Sequence, residues 1–351
     1  MRRPQVSDFV PRSVDRYSHP AKDFIRRHII TQFASGIPDG IRPHLRVWCL
    51  PSDHIREIDG YCDRGIRAAH IRAFEWNDAV ADKLSARCRA EAQEVVLYHG
   101  ALGSFLNDPA SADAQCDWAN LDFDGNVMTF ANEIRETVRR LRVDEAPRLA
   151  LTSFISRGNG SLDRCTTIAN VLRAAASDEY ARGRDVVTAG NERAGLALSP
   201  KPMQHAIVRE FALTSLLIDA FGSRLYGDDA VAAAAFARAY ANAVSAHTRR
   251  TLAGKSADEC QRARQEADED LRHAMHERSI PLWIDDWSRF AYHSVNRKWL
   301  WVWAFRFSPV ARPVSMLAWA KKLLAHPPPL HVIDRRGIPI RGRDARICAW
   351  C

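Results

Sequence analysis

The sequence predicts an α/β protein: a doubly wound, mostly parallel sheet with a late antiparallel hairpin and an inserted helical block. Three observations carry this prediction. Short apolar runs and helical patterns alternate five times between residues 45 and 176, three helical patterns follow, and two aromatic-rich runs come last. Alternating strands and helices are typical of parallel sheets. Their crossovers are almost always right-handed, which leaves few topologies.

The five apolar runs are predicted to be strands that are buried on both faces. They cover residues 45–50, 71–76, 94–98, 117–123 and 148–155. Residues that favour the start of a helix follow the first two runs, namely Ser52 or Asp53 and Asn77 or Asp78. The carboxyl ends of these strands are therefore expected to meet at one edge of the sheet.

The fourth run ends in a polar cluster, CDWANLDFDGN at 116–126. Ligands of open α/β sheets bind at the carboxyl ends of the strands, beside a topological switch point. We therefore predict that Asp122 and Asp124 are catalytic residues. Two other interpretations stay open: the carboxylates cap the next helix and fit a turn, or they hold a divalent cation such as Mg²⁺.

The second half of the chain begins with a predicted loop at 183–202 and helices at 205–221, 229–251 and 256–277. Strands at 289–293 and 298–307 then form a hairpin. Aromatic residues occupy one face of the second strand and aliphatic residues the other, which predicts an inner strand. We expect the aromatic face to be core rather than a platform for stacked bases. That face comprises Trp299, Trp301, Trp303, Phe305 and Phe307.

The net charge of +8 is concentrated at the two ends of the chain. Residues 1–46 carry nine basic and four acidic side chains, residues 312–351 carry eight and two, and the middle is left with −3. Basic ends favour a nucleic acid as partner. Solubilising tails are the alternative interpretation.

Cysteine usage and hydropathy indicate a cytoplasmic protein. The eight cysteines are scattered, which predicts free thiols in a reducing compartment. The close pair Cys348 and Cys351 has no second pair nearby, so no metal site is predicted. The N-terminus has no apolar export signal, and no run reaches the ~18 apolar residues of a membrane span.

Five strand–helix units followed by a late hairpin resemble the class I S-adenosylmethionine-dependent methyltransferase fold, over roughly residues 45–310. In that family, five parallel strands are followed by two more, the last inserted antiparallel. The resemblance implies S-adenosylmethionine as cofactor and methyl transfer as the reaction. With the basic ends, it suggests RNA or DNA as the substrate.

The resemblance also implies roles for single residues. Glu75 ends the second run, where the family keeps an acidic residue on the ribose hydroxyls, and a carboxylate can accept both hydroxyl protons. Trp76 would lie against the adenine, and His99 and Gly100 fall where a family loop meets the adenine edge. The implied cofactor-binding residues are Leu50, Ser52, Asp53, Glu75, Trp76, His99, Gly100 and Asp122.

Two departures from the family pattern keep other functions open. The first loop has no glycine before Gly60, and Pro51 removes a backbone donor. The fourth strand lacks the two prolines that amino-methylating nucleic-acid enzymes have there. One alternative is a non-catalytic relative that binds nucleic acid or a partner; the missing glycines favour it, and the retained Glu75 counts against it. The other interpretation of Glu75 is a helix-capping aid or a surface salt-bridge partner. A weaker one is a metal-dependent nuclease or phosphotransferase that uses Asp122 and Asp124.

These patterns divide the chain into five predicted parts. They are a basic N-terminal arm and helix (1–44), a Rossmann-like α/β core (45–185), a helical insertion (186–280), a C-terminal hairpin that completes the sheet (281–311) and a basic C-terminal tail (312–351). The N-terminal helix is predicted over 21–33, with Arg26 and Arg27 outside its apolar stripe. The last twenty residues are predicted to be loosely held.

Overall fold

The computed structural model describes residues 19–51, 55–91, 94–123, 127–142, 148–154, 176–193, 230–247, 254–293, 299–327 and 330–340. It also describes five helical residues of the next segment, Glu210, Leu213, Leu216, Leu217 and Ala220. In these parts of the chain, no helix has both the length and the apolar character that crossing a membrane requires.

The strands of the described residues are β1 (Val47–Cys49), β2 (Ile71–Glu75), β3 (Val96–His99), β4 (Trp118–Asp122), β5 (Arg148–Phe154), β6 (Ser279–His293), β7 (Trp299–Ser315), β8 (Leu330–Ile333) and β9 (Pro339–Ile340). The helices are α1 (Pro20–Ala34), α2 (Arg56–Cys62), α3 (Asp78–Ala90), α4 (Leu102–Leu106), α5 (Ala131–Arg140), α6 (Ser177–Arg193), α7 (Ala230–Ala246), α8 (Ala257–His276) and α9 (Met316–Ala325).

All of these strands belong to one sheet with the order β3-β2-β1-β4-β5-β7-β6-β8-β9. The first five strands are parallel. β7 is antiparallel to both β5 and β6, and β8 is parallel to β6. The strand order reverses between β1 and β4, which is the topological switch point. The structure confirms the predicted fold class, including the late antiparallel hairpin.

Helices cover both faces of the sheet. One face carries α1, α2 and α3, and its core includes Val47, Ile71 and Val302. The other carries α4, α5, the helical block and α9, and its core includes Trp301 and Trp303. These two tryptophans are each 1% exposed. Phe305 and Phe307 are buried as well, so the described side chains of the aromatic face of β7 are core, as its alternation predicted.

Helix α1 shows how sequence and packing combine. Pro20 occupies its first turn, and Nδ1 of His19 caps the helix by accepting the backbone N–H of Ala21 at 3.3 Å. The apolar stripe packs on the sheet as predicted. The prediction for Arg26 was wrong, because this side chain is buried, at 9% exposed. Buried carboxylates described below explain its inward position.

Three parts of the second half differ from the sequence prediction. α6 continues to Arg193 through the predicted loop, because Gly183 and Val187 are buried in the packed block, and tertiary packing overrides glycine's low helix propensity. β6 and β7 extend well beyond the predicted runs, with register shifts near Ile280 and Ile284. β8 and β9 appear where loosely held residues were expected. The predicted hairpin turn at 294–297 lies outside the described residues.

Candidate functional site

The carboxyl ends of β1 to β4 gather the predicted site residues. In the ladder between β2 and β3, Glu75 pairs with His99. Across β1, the register aligns Ala73 with Asn120. Glu75 and Asp122 lie two residues further along their strands and are therefore at the same level. Two strand spacings separate them, about 10 Å.

The first loop is described only at its start. The backbone N–H of Leu50 donates to the carbonyl oxygen of Asn120 at 3.3 Å, which continues the β1–β4 pairing, and Pro51 is buried. Three predicted site residues lie outside the described residues, and their roles stay predictions. These are Ser52, Asp53 and Asp124.

Glu75 helps to begin α3. Its Oε1 accepts the backbone N–H of Asn77 at 2.8 Å, and Oδ1 of Asn77 accepts the backbone N–H of Val80 at 3.2 Å. A carboxylate offers about four acceptor positions, so this contact is compatible with a second one to a ribose hydroxyl. The contact also fixes where the partly exposed carboxylate stands at the end of β2.

The surface beside Glu75 includes the indole of Trp76 and the backbone of Gly100. Trp76 is 50% exposed. The backbone N–H of Gly100 donates to the carbonyl oxygen of Glu75 at 2.8 Å, and a Cβ at Gly100 would lie 2.8 Å from the ring of Tyr98. His99 contacts Asp78 on the surface, with 2.8 Å between Nε2 and Oδ1. The end of β2 and β3 therefore combines a carboxylate, an exposed indole and a glycine at which any side chain would displace the ring of Tyr98.

Asp122 has a different environment. Its Oδ2 contacts the ammonium of Lys22 and lies 2.9 Å from Nη2 of Arg26. Both cations come from α1, one helical turn apart. Nε of Arg26 also lies 3.7 Å from Oε2 of Glu57, which is 1% exposed. The end of β4 is therefore closed by a buried cluster of two cations and two carboxylates.

Polar side chains complete this cluster. Oε1 of Glu57 accepts the hydroxyl of Tyr61 at 2.7 Å and the amide of Asn120 at 2.6 Å. The cluster ties α1 to α2 and β4. Sequence reasoning missed Glu57 because nothing in the predicted α2 distinguishes it from a solvated glutamate. The four-residue spacing of Lys22 and Arg26 was the available signal for the cations.

Lys22 and Arg26 shift the pKa of Asp122, which was predicted to be catalytic. Burial alone would raise the pKa of the Asp122 carboxyl, but Lys22 and Arg26 outweigh burial and hold that pKa below its ordinary value. Burial lowers the pKa of the Lys22 ammonium, against the attraction of Asp122. A carboxylate with a lowered pKa is a weak general base. Asp122 is thus better suited to holding a cation than to accepting a proton.

The two ends of the carboxyl edge differ in chemistry. The end of β2 and β3 has a partly exposed carboxylate, Glu75, and a half-exposed aromatic ring, Trp76. At the end of β4, a narrow pocket lies between α1 and the sheet, lined in part by Lys22, Asn120, Asp122 and Tyr292. Within the described parts of the chain, no three or more His, Cys, Asp and Glu side chains are grouped as metal ligands.

The position and direction of β7 identify the fold. β7, the second strand of the late hairpin, is inserted between β5 and β6 and is antiparallel to both. The chain has a class I methyltransferase-like fold. No protein-family model matches it, and no curated protein does.

Solved structures resemble this methyltransferase-like chain at low similarity. The O-methyltransferase from Bacillus cereus, in complex with SAH, is 7% identical with a TM-score of 0.36, over 86% of this chain and 94% of that chain. A cofactor-bound protein from MTB is 11% identical with a TM-score of 0.34, over 84% and 85%. The cyclase SpnF is 11% identical with a TM-score of 0.33, over 82% and 81%. At these TM-scores, the fold assignment rests on the strand order alone.

Proposed function

We propose that this chain is an S-adenosylmethionine-binding, methyltransferase-like protein that acts on nucleic acid. One observation carries the proposal: Glu75 and His99 are adjacent at the carboxyl ends of β2 and β3, beside the switch point between β1 and β4. Ligands of open α/β sheets bind at this place.

The residues at the end of β2 and β3 have distinct roles in this proposal. Glu75 accepts hydrogen bonds from the ribose hydroxyls while its carboxylate keeps its contact with the backbone N–H of Asn77. Trp76 covers one face of the adenine. Gly100 lets the backbone come close to the adenine edge, because it adds no side chain. Leu50, with Ser52 and Asp53, contacts the methionine end.

The bound cofactor would supply an electrophilic methyl group. The chain's contribution is then to hold the acceptor in line and to exclude water, and positioning of this kind accounts for much of the rate of group transfer. Asp122 borders the place where the acceptor would lie, and Asp124 follows it in the sequence. The basic ends of the chain support nucleic acid as the acceptor.

A second candidate is a non-catalytic relative that binds nucleic acid or a partner without methyl transfer. The ion pairs of Asp122 with Lys22 and Arg26 favour this candidate, because they close the end of β4. The first loop without glycine favours it as well. The nuclease or phosphotransferase alternative depends on Asp124, which lies outside the described residues.

Calorimetric titration with S-adenosylmethionine tests the proposal. We expect micromolar binding by the wild-type protein. Glu75→Gln should weaken it at least about ten-fold, because a hydrogen bond to a charged group contributes about 1.5–3 kcal/mol. The amide oxygen can still accept the N–H of Asn77, so α3 should keep its start. Glu94→Gln, at an exposed position before β3, is the matched control and should bind normally.

Two outcomes separate the candidates. A folded wild-type protein that binds no S-adenosylmethionine would contradict the proposal. Binding that depends on Glu75, with no transfer of a labelled methyl group to RNA or DNA, would favour the non-catalytic relative.

A further inference from the structure

Two distant parts of the chain meet at one corner of the carboxyl edge. The turn that connects β8 to β9 packs on the start of α1: a Cβ at Gly337 would lie 2.8 Å from the carbonyl oxygen of Pro20 and 3.5 Å from Cβ of Phe24. Gly337 has a φ of +82°. Asp334 shapes the turn by accepting the backbone N–H of Arg336 at 2.8 Å. A positive φ and so close an approach both call for glycine here.

This corner is where the two basic ends of the chain join the folded body. Residues 1–18 lead into α1, which begins at Pro20, and residues 341–351 follow β9, which ends at Ile340. Together these two segments contain seven arginines against three aspartates, a net charge of +4. Both basic segments therefore join the described body of the protein at this corner.

Exposed arginines of the described surface continue the positive charge. Arg335 and Arg27 are exposed. The side chain of Arg336 is 83% exposed, with Nε 3.5 Å from a carboxylate oxygen of Asp334, and that of Arg56 is 61% exposed, with Nη1 2.6 Å from Asp23. Exposed ion pairs contribute only about 0–1 kcal/mol. Phosphate groups can therefore replace these carboxylates at little cost.

The same corner borders the end of β4. Lys22 lies two residues after Pro20 and contacts Asp122. A base inside a duplex would have to be flipped out to reach this edge of the sheet, so the surface suits a single strand.

We propose that Arg27, Arg56, Arg335 and Arg336 form a docking surface for single-stranded nucleic acid. Guanidinium groups fit phosphate oxygens in a bidentate manner. A strand bound there runs past the end of β4. The proposal rests on the proposed function only for the role of the strand as methyl acceptor, since binding itself needs no cofactor.

Fluorescence anisotropy with a short labelled uridine-rich RNA tests the surface. The full chain carrying Arg335→Gln and Arg336→Gln is compared with the chain carrying Arg182→Gln and Arg184→Gln. This control removes the same charge from α6, where the two side chains are 64% and 53% exposed. The loss of two phosphate contacts should reduce the salt slope of log K by about 1.4 and weaken binding about ten-fold at about 0.1 M salt. The control should keep the wild-type slope.

Several results would overturn the proposal. They are no RNA binding by the wild-type protein, equal losses in the two double variants, and equally tight binding of polyglutamate or of phosphatidylserine vesicles through Arg335 and Arg336. Calorimetry with S-adenosylmethionine on the same variants separates the two proposals. RNA binding without cofactor binding would contradict the proposed function but would still support the docking surface.

Discussion

The two halves of the carboxyl edge are built in different ways. At the end of β2 and β3, Glu75, Trp76 and His99 are partly or largely exposed, and the side-chain hydrogen bonds of Glu75 with Asn77 and of Asn77 with Val80 are local. At the end of β4, the side chain of Asp122 is 9% exposed and is held by Arg26, which is 96 residues away in the sequence. The half at the end of β2 and β3 is thus the more exposed one. The other opens only if α1 gives up buried ion pairs.

This difference predicts an order of events. α1 is also attached further along, where Nε2 of Gln32 donates to Asp286 at 2.6 Å and to Ser288 at 2.8 Å. Removing one partner from a buried ion pair is strongly destabilising. We therefore expect a nucleoside to occupy the end of β2 and β3 first, with the end of β4 still closed.

The largest expected effect concerns the closed half. Arg26→Met leaves Asp122 and Glu57 with less compensating charge and should lower the free energy of unfolding by about 3–5 kcal/mol. Arg27→Met makes the same change at the adjacent, exposed position and should cost about 0.5 kcal/mol or less. Urea denaturation measures both. Equal losses would show that the buried cluster does not stabilise the fold as described.

A smaller effect is expected in the open half. Trp76→Ala should weaken adenosine binding by about 1–3 kcal/mol, at least about five-fold, because it removes a stacking face. Val96→Ala, at an exposed position on β3, is the control and should bind as the wild type does. Asp122→Asn should change the dissociation constant for adenosine by no more than about two-fold, since adenosine does not reach β4. Calorimetry that finds Asp122→Asn as harmful as Trp76→Ala would remove the distinction between the halves.

The smallest expected effect is pH dependence. Because the pKa of Asp122 is lowered in the folded state, its ion pairs stabilise the protein above the unfolded pKa of about 3.9. That stability is lost as the pH falls through the lower folded value. The difference in unfolding free energy between wild type and Asp122→Asn should therefore shrink below about pH 4. Urea titrations at several pH values that show a constant difference would contradict this assignment.

The same contrast explains what the sequence could predict. The five parallel strands, the inner position of β7 and the start of α3 at Asn77 follow from local patterns: apolar runs, alternation and helix caps. The buried position of Arg26 does not, because it depends on carboxylates from α2 and β4. For Asp122, the sequence correctly predicted its place at the end of β4 but not its partners. Its catalytic role stays a prediction.

The second half of the chain shows a further limit. The glycine at 183 suggested a loop, yet α6 runs through it because α9 packs against this helix, where Nζ of Lys321 lies 3.7 Å from Glu179. β8 and β9 are short strands of four and two residues. Strands of that length have too few residues for alternation to distinguish them from a polar tail.

Hydrogen–deuterium exchange with and without S-adenosylmethionine shows which half of the carboxyl edge binds the cofactor. We expect the cofactor to slow exchange at residues 74–78 and 98–102, at the ends of β2 and β3. Protection at residues 21–30 of α1 and 119–123 of β4 should change less. Protection confined to α1 and β4, or no change anywhere in a folded protein at saturating cofactor, would contradict this expectation.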